Sequence, residues 1–142
     1  YGGTTILMVM AGASTVCSVD DWSCGKRDEF ETNLRIVGVH DRVEIVPERS
    51  ELVANRFAGG SCGVILVDGD HTFSAPYCDL VLYAPKVRCG GWLLVDDTDN
   101  GHPWITDGLR RWRQEQREFI FDRVLNMDGT DKPKLAGFRR IA

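Results

Sequence analysis

The stretch VILVDGDHTF, Val64 to Phe73, sets four apolar residues ahead of Asp68, Asp70 and His71. A short apolar run bounded by turn residues reads as a strand buried in a mostly parallel sheet. Its polar tip then falls at the carboxyl end of the strand, where ligands gather in open α/β sheets. Further along, WLLVDDTDN, Trp92 to Asn100, repeats the pattern with Asp96, Asp97 and Asp99. One acidic strand end is ordinary, but two point to a shared site.

The rest of the chain supplies the frame for those two strands. Further short runs rich in Val and Ile occur at Thr15 to Val19, Val43 to Val46, Phe119 to Met127 and Leu135 to Ile141. They alternate with stretches of helical period, the signature of an α/β domain with a mostly parallel sheet and helices on both faces. Thr4 to Met10 reads as helix. Phe30, Leu34 and Val37 fall at i, i+4 and i+7, so RDEFETNLRIVG is an amphipathic helix ended by Gly38. The same spacing joins Tyr77, Leu80, Val81, Ala84 and Val87, and again Ile105, Leu109 and Trp112. Ser50 stands as the cap of a helix over ELVANRFAGG, closed by Gly59 and Gly60. The glycines of RCGGW, Arg88 to Trp92, read as a tight turn from helix into strand. Asp128-Gly129 in MDGTDKP predicts a C-terminal antiparallel hairpin.

Bulk properties narrow the function. With 142 residues and 43% hydrophobic content the chain is read as one domain, residues 1–142. Seventeen basic against twenty-one acidic residues leave a net charge of −4, which argues against a nucleic-acid partner. The densest basic patch, RRWRQEQR at Arg110 to Arg117, is interrupted by Glu115 and reads as the wet face of a helix. Five cysteines, odd in number and with no Cys-x-x-Cys pair, read as reduced thiols of a cytoplasmic protein. The longest apolar run is too short to span a bilayer, so no membrane is expected as partner.

Asp20 and Asp21 close the TVCSV run. An acid there can accept hydrogen bonds from ribose hydroxyls, which makes Asp20 the ribose candidate; the alternative is a helix cap or turn residue. Asp68, Asp96 and Asp97 offer the hard oxygens that Mg²⁺ prefers. His71 is either a general base or a surface histidine at a helix start. Two glycines in YGGTT precede the first helix, where backbone N–H groups approach a ligand closely. His102 and Trp104 in TDNGHPWITD are candidates for an acceptor wall or for simple packing.

In order, YGGTT, VCSVDDW, the DEFETNLRIVGVHDRVEIVPERS segment and VILVDGDHTF with the later GGWLLVDDTD resemble the class I S-adenosylmethionine-dependent methyltransferases, in the branch near macrocin-type sugar O-methyltransferases, cephalosporin-hydroxylase-like proteins and catechol O-methyltransferase. The likeness runs from about Tyr1 to Gln116. It implies a Rossmann-like sheet and methyl transfer from S-adenosylmethionine to a hydroxyl of a small-molecule acceptor, with Mg²⁺ assisting. Position by position, Gly2 and Gly3 match the loop under the methionine part of the cofactor, Asp20 the ribose acid, and Ser50 the neighbourhood of the adenine. Asp68 falls where cofactor and metal meet; Asp68, Asp96 and Asp97 match metal ligands, and His71 a general base. Assembly as a homo-oligomer is compatible with it.

The family places a central first strand before the GGTT loop, and nothing in this sequence precedes Tyr1. The expectation is therefore either an upstream segment outside this sequence or a rearranged sheet lacking its N-terminal strand. Two other functions compete. A truncated or non-catalytic module would keep the fold but not the cofactor. A nucleotide-sugar glycosyltransferase would use Asp68-Gly69-Asp70 as its Asp-x-Asp motif.

Overall fold

In the computed structural model, which describes residues 1–98, 101–125 and 134–142, the chain divides into two units, Tyr1–Val53 and Ala54–Ala142. In the first, helix α1 (Gly3–Met10) leads to strand β1 (Val16–Val19), helix α2 (Arg27–Val37), strand β2 (Val43–Val46) and the short helix α3 (Ser50–Val53). Helix α2 has acids in its first turn and Arg35 in its last, matching the helix dipole. It ends as expected at Gly38, whose φ of +74° suits glycine. There the Gly38 N–H donates to the Arg35 carbonyl and the Val39 N–H to that of Leu34, the two bonds of a Schellman ending. The apolar stripe meets α1, so that Val9, Phe30, Leu34 and Val39 form a buried core beside the parallel pair β1 and β2.

The helix expected over ELVANRFAGG is shorter than the sequence suggests. Ser50 is its first residue, it ends at Val53, and a single 3₁₀ turn follows over Ala54–Arg56. The segment buries only Val53 and Ala54, while Leu52 is 67% exposed, so no apolar stripe exists to sustain a longer helix.

The second unit contains strand β3 (Cys62–Val67), helix α4 (Ala75–Tyr83), strand β4 (Val87–Val95), helix α5 (Pro103–Glu115) and strands β5 (Phe119–Leu125) and β6 (Leu135–Arg140). Their order is β3-β4-β6-β5, with β3 and β4 parallel and β6 antiparallel to both neighbours. The antiparallel C-terminal pair is thus as expected; its Asp128-Gly129 turn lies outside the described residues.

Two boundaries differ. Val87 opens β4 and does not belong to α4, because Pro85 confines the helix's continuation to a 3₁₀ turn over Ala84–Lys86. The glycines of RCGGW make a bulge inside β4, not a turn before it: Cys62 pairs with Val87, but Val64 already pairs with Trp92. Gly90 sits at φ +76°, and a β-carbon on Gly91 would stand 2.7 Å from the Gly63 carbonyl oxygen.

Helices α4 and α5 pack closely at Gly108, where a β-carbon would lie 2.9 Å from the Tyr77 amide nitrogen. The Tyr77 hydroxyl donates to Glu115, and the Arg111 guanidinium lies 3.9 Å over the Tyr77 ring. Leu80, Ile105, Trp112 and Phe138 centre the core. Trp112 is buried while Arg110 and Arg111 remain largely exposed, as the basic patch predicted. Among the described residues no helix is long and apolar enough to cross a membrane, and all five cysteines are free thiols.

Candidate functional site

The two acidic strand ends of the second unit lie side by side because β3 and β4 are parallel and paired to their tips: Val67 is opposite Val95, and the Asp96 N–H donates to the Val67 carbonyl at 3.0 Å. Asp96 Oδ1 in turn accepts the Asp97 N–H at 2.8 Å. Beyond β3, Asp70 fixes the turn that carries His71, with Oδ1 accepting the Thr72 N–H at 2.9 Å and Oδ2 its hydroxyl at 2.8 Å. Asp68, Asp70, His71 and Asp96 line one small cleft over Ile105.

Asp97 reaches the same turn. Its Oδ2 lies 3.4 Å from His71 Nε2, with the two side chains 28% and 34% exposed. His102, just before α5, brings a second imidazole, and the two ring centroids are 4.6 Å apart. Potential ligand atoms of His71, Asp97 and His102 all lie within 4.8 Å of one another. Among the described residues Asp68, Asp96 and Asp97 form no such gathering. The sequence marked His102 only as a possible acceptor wall; its approach to His71 joins loops thirty-one positions apart, which no local pattern signals. Two residues beyond each histidine, Phe73 and Trp104, the latter in the first turn of α5, also meet, with centroids 5.4 Å apart.

In the first unit, Gly2 turns into α1 at φ +87°, a conformation only glycine takes without strain. A β-carbon there would stand 2.7 Å from the Phe30 ring, whereas one on Gly3 would meet nothing within 4 Å. Helix α1 has no side-chain cap and no acid in its first turn, so no side chain caps its leading N–H groups. Asp20 follows β1, and its Oδ1 accepts the Trp22 N–H at 2.6 Å. The neighbouring Asp21 carboxyl is held below its ordinary range by the Ser23 backbone N–H. Ser50 begins α3, after β2.

Left-handed backbone outside glycine marks the same loops. Among the described residues such φ values occur at Trp22 (+57°), Phe73 (+38°) and Asp97 (+50°), one after each of β1, β3 and β4. Strain of this kind collects at functional sites.

The model of a family described as a methyltransferase domain matches residues 1–98. No curated protein matches the chain in sequence. Solved structures share its fold. The O-methyltransferase TomG from Streptomyces achromogenes, involved in tomaymycin synthesis and solved with SAM, is 16% identical with a TM-score of 0.76. That match covers 100% of this chain and 70% of TomG. Cofactor-bound Rv0187 from MTB is 19% identical with a TM-score of 0.75, covering 96% of this chain and 67% of its own. An rRNA methylase described as putative, from Clostridium thermocellum, is 15% identical with a TM-score of 0.75, covering 99% and 83%. The resemblance to class I methyltransferases and the mostly parallel α/β architecture expected from the sequence are both borne out, and the chain belongs to the methyltransferase-domain family.

Proposed function

We propose that the chain transfers a methyl group from S-adenosylmethionine to a hydroxyl of a small-molecule acceptor, with help from a divalent cation. The observation that carries this reading is the pairing of an imidazole and a carboxylate, His71 and Asp97, at the adjoining tips of β3 and β4. Methyl transfer to oxygen needs a proton acceptor, and that is what the pair provides.

The first unit fits the donor. The uncapped N-terminus of α1 suits the carboxylate of a methionine moiety, since backbone N–H groups and the helix dipole both favour an anion. The open space over Gly3 leaves room for it. Asp20, with Oδ1 committed to the Trp22 N–H, has Oδ2 as the acceptor for a ribose hydroxyl, and Ser50 is assigned to the adenine end. When bound, S-adenosylmethionine supplies a methyl group on a positively charged sulfur, already a strong electrophile.

The chain's own residues then handle the acceptor. With Nε2 turned to Asp97, His71 has Nδ1 to take the hydroxyl proton, and the Asp97 carboxylate stabilises the imidazolium that forms. Proton transfer of this kind contributes roughly 10²–10⁴-fold. The new bond is oxygen to methyl carbon, the broken bond is methyl carbon to sulfur, and sulfur keeps the electron pair. Asp68, Asp96 and Asp97 are oxygen donors of the type Mg²⁺ takes; a cation held there would draw them together and would lower the pKa of a nearby hydroxyl. Free thiols agree with a cytoplasmic setting. The test is transfer of labelled methyl to a panel of hydroxylated acceptors. His71→Ala is expected to lower kcat by about a hundredfold or more; a variant as active as the parent would overturn the assignment of His71.

A further inference from the structure

We propose that His71, Asp97 and His102 form a binding site for a borderline divalent ion of the zinc or cobalt kind, separate in ligand type from the all-carboxylate Mg²⁺ set. Two imidazoles and one carboxylate are the donors that zinc and its neighbours prefer, whereas Mg²⁺ demands oxygen. The geometry is close to assembled. Metal-ligand bonds of roughly 2.0–2.2 Å in a tetrahedral site put ligand atoms about 3.4 Å apart. His71 Nε2 and Asp97 Oδ2 are already 3.4 Å apart, and one ligand atom from each of His71, Asp97 and His102 lies within 4.8 Å of the other two.

Three features make the cluster more than a chance meeting. His102 occupies the N-cap position of α5 but makes no capping bond with its side chain, so the ring has no helical task there. Asp97 is held at φ +50°, with its backbone N–H bonded to the Asp96 carboxylate. Both histidines and Asp97 are only partly exposed, so the ion would be sheltered yet open on one side. Three protein ligands with a vacant fourth position leave room for water or a small ligand.

The consequence for catalysis rests on the reading of His71 as proton acceptor. A bound zinc ion ties up the His71 lone pair and competes with Mg²⁺ for Asp97. The site therefore acts as a brake: micromolar zinc silences transfer that Mg²⁺ supports. Binding itself does not depend on that reading, so its test is made without cofactor or acceptor.

The chain has only three histidines, His40, His71 and His102, and His40 lies in the first unit, which makes the imidazole region of a ¹H–¹⁵N spectrum a direct reporter. Titration of the whole wild-type chain with zinc sulfate is expected to saturate at one equivalent, shifting the His71 and His102 signals and leaving those of His40 in place. Mg²⁺ is expected to leave the His102 signals unmoved. Cobalt(II) should give visible bands of nitrogen and oxygen coordination with no thiolate charge-transfer absorption. By calorimetry, His102→Ala should weaken zinc binding at least about tenfold. Motion of His40 with the others, a shift in only one of the pair, a thiolate band showing the ion on cysteine, or unchanged zinc affinity in His102→Ala would each overturn the proposal. Zinc binding without any methyl transfer in the parent would uphold the site and refute the proposed function instead.

Discussion

Two adjacent glycines at the head of α1 are expected to respond in opposite ways to the same added methyl group. Gly2→Ala forces alanine into the left-handed region, at about 1–2 kcal/mol. It also drives a β-carbon to 2.7 Å from Phe30, a ring that is 3% exposed and packed on Trp22 with centroids 4.9 Å apart. Displacing such a ring costs about 1–3 kcal/mol, for a total of about 2–5 kcal/mol. Gly3→Ala lies within the helix and meets nothing, so it should gain about 0.5–1 kcal/mol from reduced chain entropy. Its methyl group nevertheless intrudes on the space assigned to the cofactor carboxylate. Loss of one hydrogen bond to a charged group, about 1.5–3 kcal/mol, weakens S-adenosylmethionine at least about tenfold. Urea unfolding followed by circular dichroism gives the two stabilities, and calorimetric titration gives the affinities. A Gly3→Ala protein that is more stable yet binds as tightly as the parent would refute the placement of the cofactor over that helix end. A Gly2→Ala protein as stable as the parent would refute the strain argument.

Further outcomes follow from other parts of the chain. Asp96→Ala combined with Asp97→Ala should abolish Mg²⁺-dependent methyl transfer with the far-ultraviolet spectrum retained; transfer at the parental rate would remove the carboxylates from the reaction. Trp112→Ala, at a side chain 4% exposed and edge-on to Phe119 and Phe138, should cost about 3–5 kcal/mol in urea unfolding, and a loss under 1 kcal/mol would contradict the core assignment. The Tyr77 hydroxyl bond holds the Glu115 carboxyl below its ordinary range, Arg111 adding to the effect, while the bond to Glu115 raises the Tyr77 phenol. A lowered carboxyl stabilises above its unfolded pKa and loses that as pH falls through the folded value. A raised phenol stabilises below its unfolded pKa and loses that as pH rises through the folded value. Tyr77→Phe should therefore flatten both the acid and the alkaline limbs of the stability profile, and unchanged limbs would show that the bond contributes nothing.

Legibility in the sequence followed how local each cause was. Gly38 could be read as a helix end because one left-handed residue and its two neighbouring bonds decide it. The strand ends at Asp20, Asp68 and Asp96 could be read because the apolar run stops where the chain leaves the sheet, although β3 is less buried than that run suggests, Val64 being 49% exposed. Gly90 and Gly91 misled because the same residues serve a turn or a bulge, and only the position of Gly63 on the neighbouring strand decides between them. The shortness of α3 depends on Leu52 facing water, which is a matter of packing and not of period. The convergence of His102 on His71 and Asp97 is likewise tertiary, set by where α5 begins relative to the β3 tip.

Calorimetric titration of the whole chain with S-adenosylmethionine, and with its demethylated product, tests the proposed donor most directly. One equivalent bound, with the affinity weakened at least about tenfold in Gly3→Ala and weakened in Asp20→Ala, is the predicted result. Failure of a folded, monodisperse chain to bind either compound, with or without Mg²⁺, would contradict it.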